Sequence, residues 1–519
     1  MPTRDDLTKL RNVINESLRV QRGGADPVPY IDVGSVLDDV RARQNHVVFA
    51  RRGCGKTLLL HHSGRTLDSS VQSVYLNCED FKRHSFPNVL IEILDTLFGE
   101  LQKYQVGWFG KWFGKQKRSR KVIKKIRAEL QSLRTRADSR EESVKESTAT
   151  EKSGLLKGQG GVTDLQLGGE FGGKSRSEIE RTYRVLDDKI RELDMKLPEL
   201  KSQIREFFNL SPSVKSVFIQ IDDFYHLSRV NQPLVMDYIH RLCKDLPLYF
   251  KVATLKYATT LYADRDGQPI GAQERHDYQP INIDFTFNDF RKTRDQNQRI
   301  LHEFAELAGL SQATVDALFK GEGFDRLILA GGGVPRDCLS LFLEVLGTVQ
   351  SSGGDGRIGK DEIRVLSRSN FERRIEELKQ DSEGGEQDIL IRGIYVLRKF
   401  CMDRKTNVFL VSEQMMQQED QVRDLIYRLL DYRVIHSAGS ALTHKSQPGT
   451  FQAFAIDIGC YAHMRKLQGR FNEIDLAASA AKEKMRSAPV LDVALFNDLW
   501  KEAPDNAEAA LREEDEAAA

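Results

Sequence analysis

Short runs of β-branched and aromatic residues recur along the first 290 residues, and segments with the apolar spacing of helices separate them. The runs are HVVFA (46–50), SVYLNCEDF (73–81), VFIQI (217–221) and LPLYFKVATLKY (246–257). A further segment, YQPINIDFTFNDF (278–290), alternates towards a last strand and then a turn into a helix. Continuous apolar runs of this length are typical of strands buried in a parallel sheet. The pattern therefore predicts an α/β fold built on a parallel sheet.

A different periodicity occupies the middle of this region, at about residues 101–207, and we interpret it as an insertion. Apolar residues there recur in alternating steps of four and three, which keeps them on one side of a helix. They are Ile179, Tyr183, Leu186, Ile190, Leu193, Leu197, Leu200 and Ile204. A shorter run at 123–133 and a glycine-rich stretch at 152–175 precede them, so we predict an antiparallel coiled-coil arm. Pro198 should kink or end its second helix.

The pattern stays helical from residue 291 to 382, which predicts a helical lid after the sheet. From 383 to 470, three helical segments precede two strand-like runs with a turn between them. The helical segments are 389–401, 410–418 and 420–435, and the turn is Gln447, Pro448 and Gly449. Three helices followed by a hairpin predict a winged-helix domain. An alanine-rich acidic tail follows at 471–519, with one helix near residues 490–500.

Composition sets limits on the function. Lysine and arginine total 77 against 76 for aspartate and glutamate, so the net charge of +1 gives no general attraction to nucleic acid or membrane. The six cysteines are scattered, without the spacing of a zinc site. The sequence shows no signal peptide and no apolar run of about 18 residues. We therefore expect a soluble, cytoplasmic protein without a membrane span.

The local charge is uneven, because residues 101–128 contain ten lysines and arginines and no acidic residue. The same stretch carries the rings of Trp108, Phe109, Trp112 and Phe113. Such residues can bind nucleic acid, with cations on phosphates and rings stacked on bases. They could equally dock a protein partner or an anionic membrane surface, or the rings could pack beneath the core. These four interpretations stay open at the level of sequence.

The strongest chemical signal is FARRGCGKT at residues 49–57. It matches the phosphate-binding loop G-x-x-x-x-G-K-[ST] except that Ala50 replaces the first glycine, and it joins a predicted strand to a predicted helix. Glycines let the backbone N–H groups turn towards an anion, and the helix N-terminus adds partial positive charge. We predict that a nucleotide is bound by Arg52, Gly53, Cys54, Gly55, Lys56, Thr57 and Leu58. Lys56 would reach the β- and γ-phosphates.

A phosphate loop also needs a carboxylate at the end of a neighbouring strand to hold Mg²⁺. Asp222 and Asp223 directly follow VFIQI, at the end of a strand where ligands bind in open α/β sheets. We assign the Mg²⁺ ion to Thr57 and Asp222, and the orientation of the attacking water to Asp223. Thr254, near the end of the next predicted strand, would sense the γ-phosphate.

In chain order, ARRGCGKT, VYLNCED, FIQIDD, ATLKY and GGGVPRDCL resemble the AAA+ and related STAND ATPases, particularly the origin-recognition-complex-like initiator type. The resemblance implies an ATPase that uses ATP and Mg²⁺. GGVPR (332–336) resembles the sensor-2 motif of that group, so Arg336 would reach the γ-phosphate. Asp223 stands where many hydrolytic relatives carry glutamate, which implies slow turnover. Arg275, with Arg265 behind it, is the candidate arginine finger.

The resemblance implies two alternative functions. In the first, ATP assembles a homo-oligomer or closes the protein on double-stranded DNA, as in initiator, transposition or defence ATPases. In the second, the chain is a STAND-type signalling switch or scaffold whose arm and winged helix bind protein partners. The third helix of the winged helix carries Asp420, Asp424 and Asp431 beside Arg423 and Arg428, and these acids weaken an interpretation as a major-groove reader.

Overall fold

The structure is a computed structural model. It describes residues 3–18, 30–32, 34–82, 84, 87–104, 117–132, 176–211, 213–265, 267–351, 356–382, 385–462, 464 and 471–518. The side chains at 176–190, 192, 265, 385 and 514–518 lie outside this description as well. So do the predicted glycine-rich stretch at 152–175 and the rings of Trp108, Phe109, Trp112 and Phe113.

The strands are β1 (His46–Phe49), β2 (Val71–Asn77), β3 (Ser216–Asp222), β4 (Leu248–Thr254), β5 (Tyr262–Arg265), β6 (Gln268–Gly271), β7 (Gln279–Asn282), β8 (Val408–Ser412), β9 (Ile435–Thr443) and β10 (Thr450–Ile456). The first helices are α1 (Arg4–Ser17), α2 (Val36–Arg41), α3 (Lys56–Arg65), α4 (Asn88–Tyr104), α5 (117–132), α6 (Arg176–Leu210) and α7 (Gln232–Cys243). They are followed by α8 (Phe290–Leu307), α9 (Gln312–Asp316), α10 (Gly323–Ala330), α11 (Pro335–Ser351), α12 (Lys360–Asp381), α13 (Gly385–Asp403), α14 (Glu413–Gln418), α15 (Asp420–Asp431), α16 (Ala481–Met485), α17 (Val493–Glu502) and α18 (Ala507–Ala518).

The chain forms two compact units. The sheet unit comprises Ser35–Phe49 and Lys56–Asn282. The second unit, here called the lid unit because it contains the predicted lid, comprises Met1–Gly34, Ala50–Gly55 and Ile283–Ala519.

The sheet unit is built on five parallel strands in the order β2-β3-β4-β1-β7. β1 and β3 are buried at every position, as expected for central strands covered on both faces. From β1 the chain crosses to the edge strand β2, returns through β3 and β4, and adds β7 on the other side of β1. The carboxyl end of β1 is therefore a topological switch point of the sheet. This arrangement confirms the predicted α/β class.

The last strand, β7, covers Gln279–Asn282, and the chain then turns into the helix α8 as predicted. One detail of the sheet unit differs from the prediction. A two-stranded antiparallel hairpin, β5 and β6, was not predicted at all. Its strands are four residues long, which is too short for alternation to stand out from a loop.

The base of the predicted arm belongs to the core of the sheet unit. α4, α5 and α6 contribute buried residues to one apolar cluster, among them Leu94, Leu97, Leu101, Ile123, Ile126, Leu130, Leu193, Leu197, Leu200 and Ile204. Polar contacts join the same helices. The guanidinium of Arg127 donates to the Asp95 carboxylate at 2.7 and 3.1 Å, and the Gln203 amide donates to Glu129 at 3.2 Å.

Pro198 was predicted to kink or end the second helix of the arm. The predicted end is wrong, because α6 continues to Leu210. A proline removes one backbone hydrogen bond from a helix, a cost of about 3 kcal/mol. Pro198 itself is exposed, whereas Leu197 and Leu200 on either side of it are buried. Burial of these neighbours offsets the lost hydrogen bond and keeps the chain helical.

In the lid unit, α8, α10, α11 and α12 pack together, and α1 packs on α8 through Leu7, Leu10 and Ile14. The region predicted as a winged helix contains α13, α14 and α15 and a three-stranded antiparallel sheet in the order β8-β10-β9. The predicted second helix, at 410–418, is half strand and half helix. The Ser412 hydroxyl accepts a hydrogen bond from the Met415 amide at 3.1 Å, an N-cap that marks where β8 gives way to α14.

The tail contains more structure than predicted. The expected helix near residues 490–500 is α17, and a second helix, α18, follows it. Both pack on α13, with Trp500 and Leu511 buried.

The six cysteines are all buried and free. Burial raises the pKa of the Cys243 thiol to about 12, so this thiol stays protonated and unreactive at neutral pH. In the described part of the chain, no helix is both long and apolar enough to cross a membrane.

A buried lysine joins β4 to the connection between α2 and β1. The Lys251 ammonium lies 2.6 Å from the Ala42 carbonyl, 2.7 Å from the Gln44 carbonyl and 2.7 Å from Nδ1 of His46. Burial lowers the pKa of Lys251 to about 7 and that of His46 to about 3. The Ala42 and Gln44 carbonyls accept hydrogen bonds from the buried Lys251 side chain, as buried polar groups require.

We expect the free energy of unfolding to rise between about pH 7 and pH 10, because the folded pKa of Lys251 lies below the unfolded value of 10.5. The unfolded chain then holds a proton that the folded chain has released, which gives a slope approaching about 1.4 kcal/mol per pH unit. Urea unfolding of the wild type and of Lys251→Met across this range measures the difference in slope. Lys215→Met, at an exposed position, is the control and should keep the wild-type slope. Equal slopes for Lys251→Met and the wild type would contradict the prediction.

Candidate nucleotide site

The predicted phosphate loop connects β1 to α3. β1 ends at Phe49 and α3 begins at Lys56. Between them, Gly53 and Gly55 have φ angles of 83° and 89°, in the left-handed region that favours glycine. Lys56 is 5% exposed, and Leu58 is half-buried in the first turn of α3. The backbone thus has the glycine-dependent turn at a helix N-terminus that binds anions in other proteins.

A buried ion pair holds the start of the loop within the lid unit. Arg51 donates from Nε and Nη2 to the two carboxylate oxygens of Asp284 at 2.7 and 2.8 Å, and its backbone N–H donates to the same carboxylate at 3.1 Å. Its third nitrogen, Nη1, donates to the Gly332 carbonyl at 3.0 Å. Burial alone would raise the pKa of Asp284, but Arg51 outweighs it and holds that pKa below its usual range. This pair was not predicted, because no spacing in the sequence links residues 51 and 284.

Arg336 lies beside the loop. Its backbone N–H donates to the Gly53 carbonyl at 3.3 Å. A methyl group at Gly53 would come within 2.8 Å of the Arg336 Cβ and 2.9 Å of Val334, so only glycine fits there. The side chain of Arg336 is 40% exposed, and its Nη2 lies 3.9 Å from the Glu377 carboxylate. The predicted sensor-2 turn and the loop are therefore in contact inside the lid unit.

Two further loop residues form polar contacts with other residues of the lid unit. Arg52 forms an ion pair with Asp381 near the C-terminal end of α12, and its carbonyl lies 3.5 Å from Nη1 of Arg433. The Cys54 thiol lies 3.5 Å from an oxygen of Asp284. These two predicted nucleotide contacts thus have side-chain partners within the protein.

A buried polar network links the lid helices to the predicted winged-helix region. Arg374 on α12 donates to Asp337 on α11 at 3.1 Å and pairs with Asp457, which follows β10. Arg433 donates to Asp337 at 2.8 Å, and the His436 ring lies 2.8 Å from Asp457. The two arginines outweigh burial and hold the pKa of Asp337 below its usual range. No local sequence signal identifies the network, because its members come from separate segments.

The metal side of the predicted site lies in the sheet unit. The Thr57 hydroxyl donates to an oxygen of Asp222 at 2.6 Å, and the Tyr75 hydroxyl donates to the same oxygen at 2.7 Å. Asp222 is fully buried at the end of β3. Burial and the nearby charge of Asp223 raise its pKa to about 6, against the opposing effect of the two hydroxyls. Tyr75, which stacks on His61, is a residue of this site that the sequence analysis missed.

Asp223 occupies a strained position next to this carboxylate. Its φ and ψ angles are 50° and 42°, in the left-handed region where aspartate is tolerated but uncommon. Its backbone N–H donates to the second oxygen of Asp222 at 2.9 Å. The turn therefore fixes the two acidic residues relative to one another. Strained residues of this kind cluster at functional sites.

Two other predicted site residues, Thr254 and Arg275, have side-chain neighbours other than Thr57 and Asp222. Thr254 ends β4 beside Phe49 of β1, and its hydroxyl lies 2.6 Å from that of Thr259. Arg275 is 82% exposed in the turn before β7, and its nearest carboxylate is Glu274 at 3.8 Å. Within the described residues, no hydrogen bond or ion pair joins Thr254 or Arg275 to the Thr57–Asp222 pair.

The donor atoms at Thr57 and Asp222 suit a hard cation. Mg²⁺ prefers oxygen ligands and binds through one or two carboxylates together with waters and substrate phosphates. In the described part of the chain, no group of three or more histidine, cysteine, aspartate or glutamate side chains could hold a metal ion. Thr57 and Asp222 therefore offer oxygen ligands of the kind that Mg²⁺ prefers.

No protein-family model and no curated protein matches the sequence. The structure is similar to that of a Walker-type ATPase of Pyrococcus abyssi, with 12% identity, a TM-score of 0.34 and coverage of 87% of this chain and 93% of that chain. It is also similar to a RuvB variant of Thermotoga maritima, with 13% identity and a TM-score of 0.21. That match spans 34% of this chain and 54% of RuvB. Both TM-scores are below 0.5, so these likenesses establish neither fold nor function.

We expect Asp222→Asn to stabilise the nucleotide-free protein by about 1 to 3 kcal/mol at pH 7, because a pKa raised by about two units reflects a costly buried charge. The folded pKa lies above the unfolded value of 3.8. The wild type should therefore lose stability as the pH rises from about 4 to 6, and the variant should not. Urea unfolding at several pH values measures both effects.

The control for this experiment is Asp38→Asn, which removes an exposed carboxylate of the sheet unit and should change stability by less than about 0.5 kcal/mol. Destabilisation by Asp222→Asn at pH 7 would contradict the prediction.

Proposed function

We propose that the chain binds ATP and hydrolyses it slowly, as a P-loop switch of the AAA+ type that acts on DNA or on a DNA-bound complex. The observation that carries the proposal is the hydrogen bond from the Thr57 hydroxyl to the buried Asp222 carboxylate, 2.6 Å long, directly after a glycine turn. A hydroxyl on the first helical turn and a carboxylate at a strand end are the two protein groups that hold Mg²⁺ in P-loop NTPases.

The triphosphate is proposed to bind on the turn from Gly53 to Thr57. Backbone N–H groups at the start of α3 carry partial positive charge, and Lys56 adds a full charge at the same end of the helix. When bound, Mg²⁺ neutralises charge on the β- and γ-phosphates. Thr57 and Asp222 would hold it. Arg52, Cys54 and Leu58 would contact the nucleotide from either side of the glycines.

Hydrolysis is proposed to depend on Asp223, which would orient the attacking water. Its backbone is tied to Asp222, so its carboxylate has limited freedom to approach the γ-phosphate. This restraint and the short aspartate side chain support slow turnover. Thr254 would sense the γ-phosphate, and Arg336 would contribute positive charge from the lid. Arg275, exposed and weakly paired, would serve as an arginine finger only in an oligomer, where it could reach a neighbouring subunit.

The packing of the lid unit supports a switch. Within that unit, the loop residues Arg51 and Gly53 contact the turn that contains Gly332 and Arg336. Any movement of the loop on nucleotide binding would strain these contacts. Such a two-state element, biased by a ligand, is what nucleotide switches require.

A STAND-type signalling switch is the second candidate function, and one observation favours it. α15, the helix that would read a DNA groove, exposes Asp420, Gln421 and Asp424. Its neighbour Arg433 is buried against Asp337 and Glu377, with one nitrogen 3.5 Å from the Arg52 carbonyl. These contacts support a winged helix that restrains the loop rather than one that grips DNA.

We expect Lys56→Ala to weaken the binding of Mg²⁺-ATP by about 10- to 100-fold, because a charge-assisted contact to phosphate contributes about 1.5 to 3 kcal/mol. Fluorescence titration with an ATP analogue measures the affinity. Lys215→Ala, which removes an exposed lysine of the same unit, is the control and should bind as the wild type does. Unchanged affinity in Lys56→Ala would rule out the proposed nucleotide site.

If the winged helix restrains the loop, Arg433→Lys should accelerate the release of bound ADP several-fold, since lysine keeps the charge but cannot bridge two carboxylates and a carbonyl. Stopped-flow release of a fluorescent ADP analogue measures the rate, and thermal unfolding checks that the variant is folded. Arg423→Lys on α15 is the matched control, because the described partners of Arg423 are Asp420 and Asp424 of its own helix and the Met416 carbonyl of α14. Equal release rates in Arg433→Lys and the wild type would argue against the restraint.

A further inference from the structure

The exposed face of α5 carries four cations that have no acidic partner among the residues that the structure describes. Lys117, Arg118, Lys121 and Lys124 are all exposed, and none forms a hydrogen bond or ion pair in the structure as described. They recur at steps that place them on one side of a helix. Over these residues the helix rises by about 10 Å.

Some lysines elsewhere in the protein have an acidic partner. Lys103 lies at hydrogen-bonding distance from Glu100, Lys320 lies 2.9 Å from Glu362, and Lys445 lies 3.0 Å from Glu483. On α5 itself, the next lysine, Lys125, is paired with Glu129 and Glu199 at 3.6 and 3.3 Å. The paired Lys125 thus directly follows Lys124, the last of the four unpaired cations.

The four cations repel one another, because like charges three or four residues apart destabilise a helix by a few tenths of a kcal/mol per pair. The helix tolerates this cost because its opposite face is anchored. Val122, Ile123, Ile126 and Leu130 are buried in the core of the sheet unit, and Arg127 is bound to Asp95. A local conflict that the fold does not resolve is the kind of feature that marks a functional surface.

The buried apolar face also decides the kind of partner. A helix that binds a membrane surface inserts its apolar side between the lipids, and the apolar side of α5 is already occupied by the core. The row of charges lies on its exposed side. A row of lysine and arginine complements a regular array of phosphates.

We propose that this face of α5, consisting of Lys117, Arg118, Lys121 and Lys124, binds the phosphate backbone of a double-stranded nucleic acid without reading its sequence. The proposal deepens the DNA-directed form of the proposed function and rests on it, but it does not depend on the nucleotide site. A rise of about 10 Å spans about three phosphates of one strand, at about 3.4 Å of helix axis per phosphate. α5 would therefore position the protein on a duplex through contacts that specify no base.

The test compares duplex binding of the full chain with that of a triple variant, Lys117→Gln, Lys121→Gln and Lys124→Gln. Fluorescence polarisation with a labelled duplex of about 20 base pairs is measured at about 50 to 200 mM salt, with and without ATP. We expect the triple variant to bind at least about tenfold more weakly at low salt. The slope of log affinity against log salt should be shallower by about 2 to 3, since each lost phosphate contact removes about 0.9.

A matched control separates this face from total charge. Lys482→Gln, Lys484→Gln and Lys501→Gln remove three exposed lysines of the lid unit and the same net charge. This control should bind the duplex like the wild type. If it loses as much affinity as the α5 variant, the effect is one of net charge and the proposal is overturned.

Two other outcomes would also overturn it. The first is an α5 variant that binds the duplex with unchanged affinity and slope. The second is a wild type that fails to bind the duplex at low salt but binds vesicles containing phosphatidylserine, which would assign the face to a membrane. Failure of the nucleotide site is distinguishable, because Lys56→Ala would then keep its ATP affinity whereas the α5 variant would still lose duplex binding.

Discussion

The phosphate-loop segment depends on one buried side chain at its start. Two guanidinium nitrogens and the backbone N–H of Arg51 donate hydrogen bonds to Asp284, and the remaining guanidinium nitrogen donates to the Gly332 carbonyl. Removing either charge would leave the other buried and uncompensated, at a cost of about 3 to 5 kcal/mol. The segment that follows β7 and the turn before α11 are therefore held to the same guanidinium, and the position of Arg336 beside Gly53 follows from it.

Buried charged side chains also join other segments of the lid unit. Arg374, Asp337 and Arg433 lie in the interior, where ion pairs gain little net stability but tolerate few alternative arrangements. Such a network can change only by exchanging partners, which makes discrete states more accessible than gradual deformation. The interior of the sheet unit, in contrast, is mainly apolar. Its strands and the helices α4 to α6 share a continuous apolar core, which suits a rigid support for Thr57 and Asp222.

Much of the fold was predictable because it follows from local patterns. Buried strands produce continuous apolar runs, so β1 to β4 were located within a few residues. The glycines at 53 and 55 could be recognised because a loop of that geometry requires positive φ angles. β5 and β6 were missed because four residues carry too little pattern. The continuation of α6 through Pro198 was missed because the burial of its neighbours outweighs a local helix breaker.

The sequence by itself determined the parallel sheet, the loop with its lysine and threonine, and the acidic pair that ends β3, because each depends on residues adjacent in the chain. Tertiary structure alone decided that the Tyr75 hydroxyl binds the same oxygen of Asp222 as Thr57 does, and that Arg51 pairs with Asp284. It also decided that one face of α5 has no acidic partner within the described part of the chain. Those contacts join residues more than 100 positions apart, or depend on which side of a helix the core covers. The spacing of residues along the chain predicts neither the long-range contacts nor the covered side of a helix, because packing sets both.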